Sequence, residues 1–166
     1  MDYRKEFIVA PGDTVQLDQV DPNYTGDISS SEEAERQLEK CHKTLRDLQY
    51  LMYAEDRRSL LIVLQGRDAA GKDGTIRKVF SVMNPQGCTV TSFKVPSEVE
   101  AAHDFLWRCH RAVPERGQVT IFNRSHYEDV LVVRVHDLVP KKVWARRYAH
   151  INAFEELLYD NHTQIL

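Results

Sequence analysis

Between Leu38 and Met52, apolar residues recur at alternating steps of three and four: Leu38, Cys41, Leu45, Leu48 and Met52. That is the period of one buried helix face. Ser30 and Glu33 stand ahead of it at capping-box spacing, so a helix is predicted from Ser30 to about Asp56. The run Leu60-Leu61-Ile62-Val63-Leu64 is continuously apolar and predicts a strand covered on both faces, as in a parallel sheet. A loop from Gly66 to Gly74, a helix from Thr75 to Met83 and a turn at Asn84-Pro85-Gln86-Gly87 follow. Cys88 to Val95 is rich in β-branched residues and reads as a second strand. Ser97 and Glu100 form another capping box, opening a helix whose apolar face is Ala102, Phe105, Leu106, Cys109 and Val113. Pro114 and Gly117 close it, and Val119-Thr120-Ile121-Phe122 is a third strand. Tyr127 to Val139 has the valines of a strand but the spacing of a helix (Tyr127, Val130, Leu131, Arg134, Val135, Leu138), and the spacing is followed. Pro140 suits the first position of a last helix, faced by Trp144, Tyr148, Ile151, Glu155 and Leu158. Thr163 to Leu166 resembles the opening of a fourth strand.

Strands alternating with helices imply an α/β fold: a three-layer α/β/α sandwich around a parallel sheet. Residues 1–28 lack periodicity, carry Pro11-Gly12-Asp13 and Asp21-Pro22-Asn23, and are expected to form an N-terminal arm. Residues 29–166 are expected to form one domain. Hydrophobic residues make up 42% and charged residues 28% of the 166, which excludes wholesale disorder. No apolar run approaches the roughly 20 residues that cross a bilayer, and no apolar segment follows Met1-Asp2-Tyr3-Arg4-Lys5-Glu6. Three scattered cysteines form no CxxC pair. A cytoplasmic protein with reduced thiols and no membrane partner is expected. The net charge of −3 hides an asymmetry: residues 1–57 carry 7 basic against 13 acidic side chains, residues 58–166 carry 15 against 12. The second part is the better home for an anionic ligand.

The chemistry concentrates in two places. Gly66-Arg67-Asp68-Ala69-Ala70-Gly71-Lys72-Asp73-Gly74-Thr75 has the spacing of a phosphate-binding loop, between a predicted strand and a predicted helix. Glycines allow the tight turn, backbone N–H groups converge, and the helix adds its positive end. Lys72 supplies an ammonium for phosphate oxygens. Asp73 stands where a Mg²⁺-binding Ser or Thr is usual. Its carboxylate could reach a metal or simply cap the helix. Asp68, an anion inside a phosphate cradle, is read either as facing a divalent cation or as stabilising the turn.

The second place, Phe122-Asn123-Arg124-Ser125-His126-Tyr127-Glu128-Asp129, lies at the carboxyl end of the third strand, where open α/β sheets take their ligands. Arg124 could offset charge on a transferred phosphoryl group, or form a surface ion pair. The seven histidines lack ligand spacing and are read as structural. Arg77, Lys78, Lys94, Arg111, Arg134, Lys142, Arg146 and Arg147 could line a channel for a polyanion or be solvated helix faces. No nucleic-acid-binding signature is present.

These two motifs, with Asp21-Pro22-Asn23-Tyr24-Thr25-Gly26, Asn84-Pro85-Gln86-Gly87-Cys88 and His103-Asp104-Phe105-Leu106-Trp107-Arg108, make the chain similar to the type 2 polyphosphate kinases. The resemblance implies a kinase-like phosphate-loop fold and Mg²⁺-dependent phosphoryl transfer between inorganic polyphosphate and adenine or guanine nucleotides, in a homo-oligomer. Asn123 and His126 resemble the branch that phosphorylates AMP as well as ADP. By the same resemblance Asp68, Lys72, Arg124, Glu128 and Asp129 are the catalytic candidates, with Asp68 and Asp129 towards Mg²⁺. Gly66, Arg67, Ala69, Ala70, Gly71, Lys72, Asp73, Gly74 and Thr75 form the phosphate cradle. An ATP-dependent nucleoside monophosphate kinase and a phosphate-binding module without turnover are the competing readings. The family continues beyond the position of Leu166 into further strands and a helical lid. The chain is therefore expected to hold the core without the lid, to leave one edge of its first strand unpaired, to self-associate, and to turn over slowly or not at all.

Overall fold

The computed structural model describes residues 6–166; the first five residues of the expected arm lie outside them. Two compact units are present, one reaching to Cys41 and the other spanning His42–Leu166. In the first, a short 3-10 helix, Leu17–Gln19, lies among turns, and the rings of Phe7 and Tyr24 meet edge to face at 6.1 Å. The division runs through the long helix α1, Ser31–Glu55.

The second unit is built on a sheet of β1 (Ser59–Leu64), β2 (Cys88–Ser92), β3 (Val119–Asn123) and β4 (Thr163–Ile165), in the order β2-β3-β1-β4 with every pair parallel. Because side chains alternate along a strand, the sheet sorts its residues into two cores. Leu61 and Phe122 point to one face, where Leu106, Cys109, Val130, Ile151, Phe154 and Leu158 cover them. Ile62, Val119 and Ile121 point to the other, against Met83 with Leu45, Met52, Ile76 and Phe80. The first layer comes from α4 (Trp107–His110), α5 (Glu128–Val135) and α6 (Lys141–Asp160); the second comes from α1 and α2 (Lys72–Val79). This is the three-layer α/β sandwich that the alternation predicts.

Four local expectations are corrected. First, β1 has no unpaired edge: β4 pairs with it from Ser59↔Thr163 to Leu61↔Ile165, and Val63 N–H donates to the Leu166 carbonyl at 2.7 Å. Second, α2 starts at Lys72, not Thr75, because Gly71 takes up a left-handed φ of 90° at the N-cap and turns the chain into the helix early. Third, the helix expected after Ser97 is split into α3 (Glu98–Ala101) and α4. The Ser97–Glu100 capping box forms, but Asp104 restarts the chain by accepting the Leu106 N–H on its side chain and the Trp107 N–H on its carbonyl. Fourth, Leu48 of the predicted α1 stripe is exposed and Gln49 is buried. The Gln49 amide clasps the Asn84 turn, accepting the Asn84 N–H at 3.1 Å and donating to its carbonyl. A Cβ at Gly87 would come within 2.4 Å of that amide nitrogen, which accounts for glycine there.

Cys109 is fully buried in the first core, and burial pushes its thiol up to about 12; Cys41 is exposed. A thiol held that high is almost entirely protonated at pH 8, and the thiolate is the reactive species. A disulfide reagent at pH 8 is expected to modify Cys41 in the native protein and Cys109 only after denaturation, as followed by peptide mapping. Native labelling of Cys109 at the rate of Cys41 would contradict this packing.

Candidate active site

β1 runs into the loop and β3 runs into Arg124, and the parallel register sets Leu64 opposite Asn123. The Arg124 N–H then donates to the Leu64 carbonyl at 3.0 Å. Both ends thus open at one place, a cleft of about 730 Å³ lined by residues 68–74, Arg77, residues 92–95, Asn123 and Arg124. The two motifs found separately in the chain share this cleft.

The loop has the geometry of an anion cradle. The first intrahelical bond of α2 runs from the Thr75 N–H to the Gly71 carbonyl at 2.9 Å. The N–H groups of Lys72, Asp73 and Gly74 therefore have no carbonyl one turn back, as at any helix start, and α2 presents its positive end there. Lys72 folds back over the loop, its Nζ donating to the Gly66 and Arg67 carbonyls at 2.8 Å each. The Thr75 hydroxyl donates to the Gly71 carbonyl. Asp68 is 85% exposed and forms an ion pair with Arg124, so cleft carboxylate and cleft guanidinium neutralise each other. Asp73 does reach the end of β3: Asn123 Nδ2 donates to its Oδ1 at 2.6 Å.

Glu128 and Asp129 are placed differently. Neither lines the cleft. Glu128 Oε1 accepts from Gln65 Nε2 at 2.5 Å, and Gln65 Oε1 accepts from the buried Ser125 hydroxyl at 3.0 Å. Gln65 therefore ties the start of the loop to the turn after β3. Asp129 lies between two arginines, Arg108 Nη2 and Arg147 Nη1, each 3.4 Å from a carboxylate oxygen. Arg147 also donates to the Asp129 backbone carbonyl at 2.8 Å. Burial holds the Asp129 carboxyl above its ordinary range and outweighs the pull of the two arginines. The structure thus brings Asp68, Lys72, Asp73, Asn123 and Arg124 together and leaves Asp129 outside that group. Among the described residues, no three His, Cys, Asp or Glu side chains cluster as a metal site.

Behind Arg124 lies a buried polar cluster. His126 is fully buried, with Nε2 3.1 Å from Glu155 Oε1, and the Tyr127 hydroxyl donates to the same oxygen at 2.5 Å. Burial disfavours the Glu155 carboxylate, but these two hydrogen bonds prevail and hold its pKa below the ordinary range. The sequence pattern assigns no role to Gln65 or Ser125 and sets Glu155 only on a helix face. Gln65 breaks an apolar run one residue before the loop, a signal that was available; Glu155 is 29 residues from His126, and nothing in the chain pairs them.

The family model described as Polyphosphate kinase 2 (PPK2) matches residues 28–166. The chain belongs to the polyphosphate kinase 2 family. It is 50% identical over 163 residues to an AMP/ADP-polyphosphate phosphotransferase of Meiothermus ruber, covering 98% of this chain and 61% of that protein. It is 46% identical over 178 residues to an ADP-polyphosphate phosphotransferase of Rhodopseudomonas palustris, covering 98% and 60%. The crystal structure of polyphosphate kinase 2 from Arthrobacter aurescens superposes with a TM-score of 0.87 at 40% identity, covering 95% of this chain and 56% of that one. The chain spans about three-fifths of the length of these curated relatives. Among the described residues, no helix is long and apolar enough to cross a membrane.

Arg124 (φ 63°) and Ala69 (φ 61°) both occupy the left-handed region, Arg124 at the end of β3 and Ala69 within the loop. That conformation costs an L-residue roughly 1–2 kcal/mol, and such strain gathers at functional sites. Glycine at 124 would release it. Arg124→Gly is expected to be more stable than Arg124→Ala by about 1 kcal/mol in urea unfolding, although both lack the guanidinium. Equal midpoints would mean that the turn is not strained.

Proposed function

We propose that this chain carries the phosphate-binding core of an enzyme that transfers a phosphoryl group between inorganic polyphosphate and AMP or ADP. The observation that carries the proposal is the single cleft in which the loop amides, Lys72 and the strained Arg124 converge. The names of the relatives support polyphosphate and a nucleotide as the two substrates.

Phosphoryl transfer asks little covalent chemistry of a protein; positioning and charge neutralisation do most of the work. The N–H groups of residues 72–74 and the start of α2 receive the terminal phosphates of the chain. Lys72 exchanges its two carbonyl partners for phosphate oxygens, keeping the same ammonium in a new hydrogen-bonded setting. Entry of the anion also frees Arg124 from Asp68, and the guanidinium then meets the equatorial oxygens of the transferred group. The bond from the terminal phosphorus to its bridging oxygen breaks as a phosphate oxygen of the nucleotide bonds to that phosphorus. Polyphosphate becomes one unit shorter, and AMP becomes ADP or ADP becomes ATP.

The cleft fits Mg²⁺ in its donor set, since Asp68, Asp73 and Asn123 offer the hard oxygen ligands that this ion prefers. When bound, the ion would neutralise phosphate charge beside Lys72. Asp68 is the carboxylate proposed to hold it, and Asp129 joins only on releasing Arg108 and Arg147. A homo-oligomer in the cytoplasm completes the proposal; exposed Leu48 and Leu51 on α1 support self-association.

Two outcomes are expected. Lys72→Ala binds tripolyphosphate at least about tenfold more weakly in calorimetry, as for loss of a charge-assisted contact, with an unchanged circular dichroism spectrum; equal affinity would remove Lys72 from the site. In the protein that contains this core, formation of ADP and ATP from polyphosphate with AMP or ADP is the direct assay, and Asp68→Asn raises the Mg²⁺ concentration for half-maximal rate. An unchanged requirement would dismiss Asp68 as the metal-facing carboxylate.

A further inference from the structure

One carboxylate of α6 stands where the helix otherwise buries apolar side chains. Ile151, Phe154 and Leu158 are buried in the first core, and Glu155 falls at the same helical spacing, four residues after Ile151 and three before Leu158. A leucine there would pack without the cost of drawing a charge out of water. Glu155 instead accepts two hydrogen bonds on one oxygen, from His126 Nε2 at 3.1 Å and from the Tyr127 hydroxyl at 2.5 Å.

The three groups are held in one arrangement. Burial works against the Glu155 carboxylate, but the bonds from His126 and Tyr127 prevail, so it stands ionised, as an acceptor only. Burial, with the carboxylate beside it, pushes the Tyr127 phenol above its ordinary range and keeps it a donor. Among the described residues, His126 Nδ1 is the one buried side-chain nitrogen or oxygen without a hydrogen-bond partner. The ring therefore donates through Nε2, towards the carboxylate, while Phe122 and Phe154 meet it edge to face at 6.5 and 5.3 Å.

Arg124 stands two residues before His126, in the left-handed conformation at φ 63°. Its N–H is tied to the Leu64 carbonyl on one side. On the other, only Ser125 separates it from the anchored imidazole. A residue other than glycine persists in that conformation where its surroundings over-determine it. α6 grips the same segment at a second point, where Arg147 donates to the Asp129 carbonyl, eight residues from Glu155 and about 12 Å from it along the helix. We propose that Glu155 is a positioning residue for phosphoryl transfer: through His126 and Tyr127 it holds the turn that aims the Arg124 guanidinium into the cleft. The proposal rests on the transfer reading above for the reaction. Glu155 lines no part of the cleft and acts only through Arg124.

The test is a set of variants of the protein that contains this core, assayed with polyphosphate and AMP or ADP. Glu155→Ala is expected to lower kcat by about 10- to 100-fold, the cost of a slightly misplaced reacting group, with KM for polyphosphate unchanged. Glu155→Gln keeps an oxygen that accepts both bonds and restores most of the rate. In an Arg124→Ala background, Glu155→Ala lowers kcat by less than about twofold, because residues that act as a unit are not additive. Urea unfolding gives a readout without substrate: the stability advantage of Arg124→Gly over Arg124→Ala vanishes once Glu155→Ala lets the turn relax. If Glu155→Ala does not fold, Tyr127→Phe, which removes one of the two bonds, takes its place in each comparison. An unchanged kcat overturns the proposal, as do a loss in KM alone, an equal loss with and without Arg124, and Glu155→Gln as slow as Glu155→Ala. A stability advantage of Arg124→Gly that persists in the Glu155→Ala background overturns it too. An active native protein with a fully active Glu155→Ala variant dismisses the positioning role alone. A native protein that transfers no phosphoryl group refutes the transfer reading, and the role of Glu155 with it.

Discussion

The site depends on the parallel pairing of β1 with β3. With Leu64 set against Asn123, the two strands end level, and one hydrogen bond from the Arg124 N–H to the Leu64 carbonyl fixes where the second motif leaves the sheet. A register slip of one residue would send the side chains of β3 into the wrong core and carry Arg124 away from the loop. Packing guards against that slip from both faces, since Phe122 fills one core and Val119 and Ile121 the other. The hydrophobic core thus sets the position of a polar site at its edge, and Phe93 belongs to both.

In and beside the cleft, the polar side chains described above are already engaged. Lys72 lies on loop carbonyls, Arg124 on Asp68, Asn123 on Asp73, and Asp129 between two arginines. Some of these pairs are exposed and exchangeable: Asp68 is 85% accessible and Arg124 is 38%. Exposed pairs are individually weak, so an incoming polyanion displaces them at small cost. Others are half-buried around the fully buried Ser125 and His126. The Gln65–Ser125–Glu128 contacts and the His126–Tyr127–Glu155 cluster hold the backbone on either side of Arg124. Removing one partner of a buried pair leaves the other unsatisfied, which is why such clusters hold strained turns in place. A rigid frame therefore supports a small set of side chains that are free to change partners.

Asp73 and Asn123 show how the site departs from the commoner phosphate loop. There, a hydroxyl follows the lysine and a carboxylate ends the neighbouring strand. Here the carboxylate follows the lysine, the neutral group ends the strand, and the two bond to each other at 2.6 Å. Each residue taken singly was an anomaly of the sequence; together they keep one negative charge and one neutral oxygen donor at the same corner of the cleft.

Reading the chain alone was enough to place the strands, the order of helices and strands, the phosphate loop and the Arg124 motif, because periodicity, glycine spacing and apolar runs are local properties. Even the valine-rich segment from Tyr127 resolved to a helix by its spacing, and it is one, Glu128–Val135. The chain also carries the family, through motifs long enough to be specific. What it could not reveal were distances between residues far apart in order. Asp129, grouped with Asp68 by resemblance, pairs with Arg108 and Arg147, which lie 21 and 18 residues away. Gln49, polar and on the wrong side of the apolar stripe, is buried because the Asn84 turn needs its amide. β4, three residues long, gains its place from pairing with β1 and from Ile165 packing on the first core. Local propensity is written residue by residue; which carboxylate meets which cation is decided by the packing of whole elements.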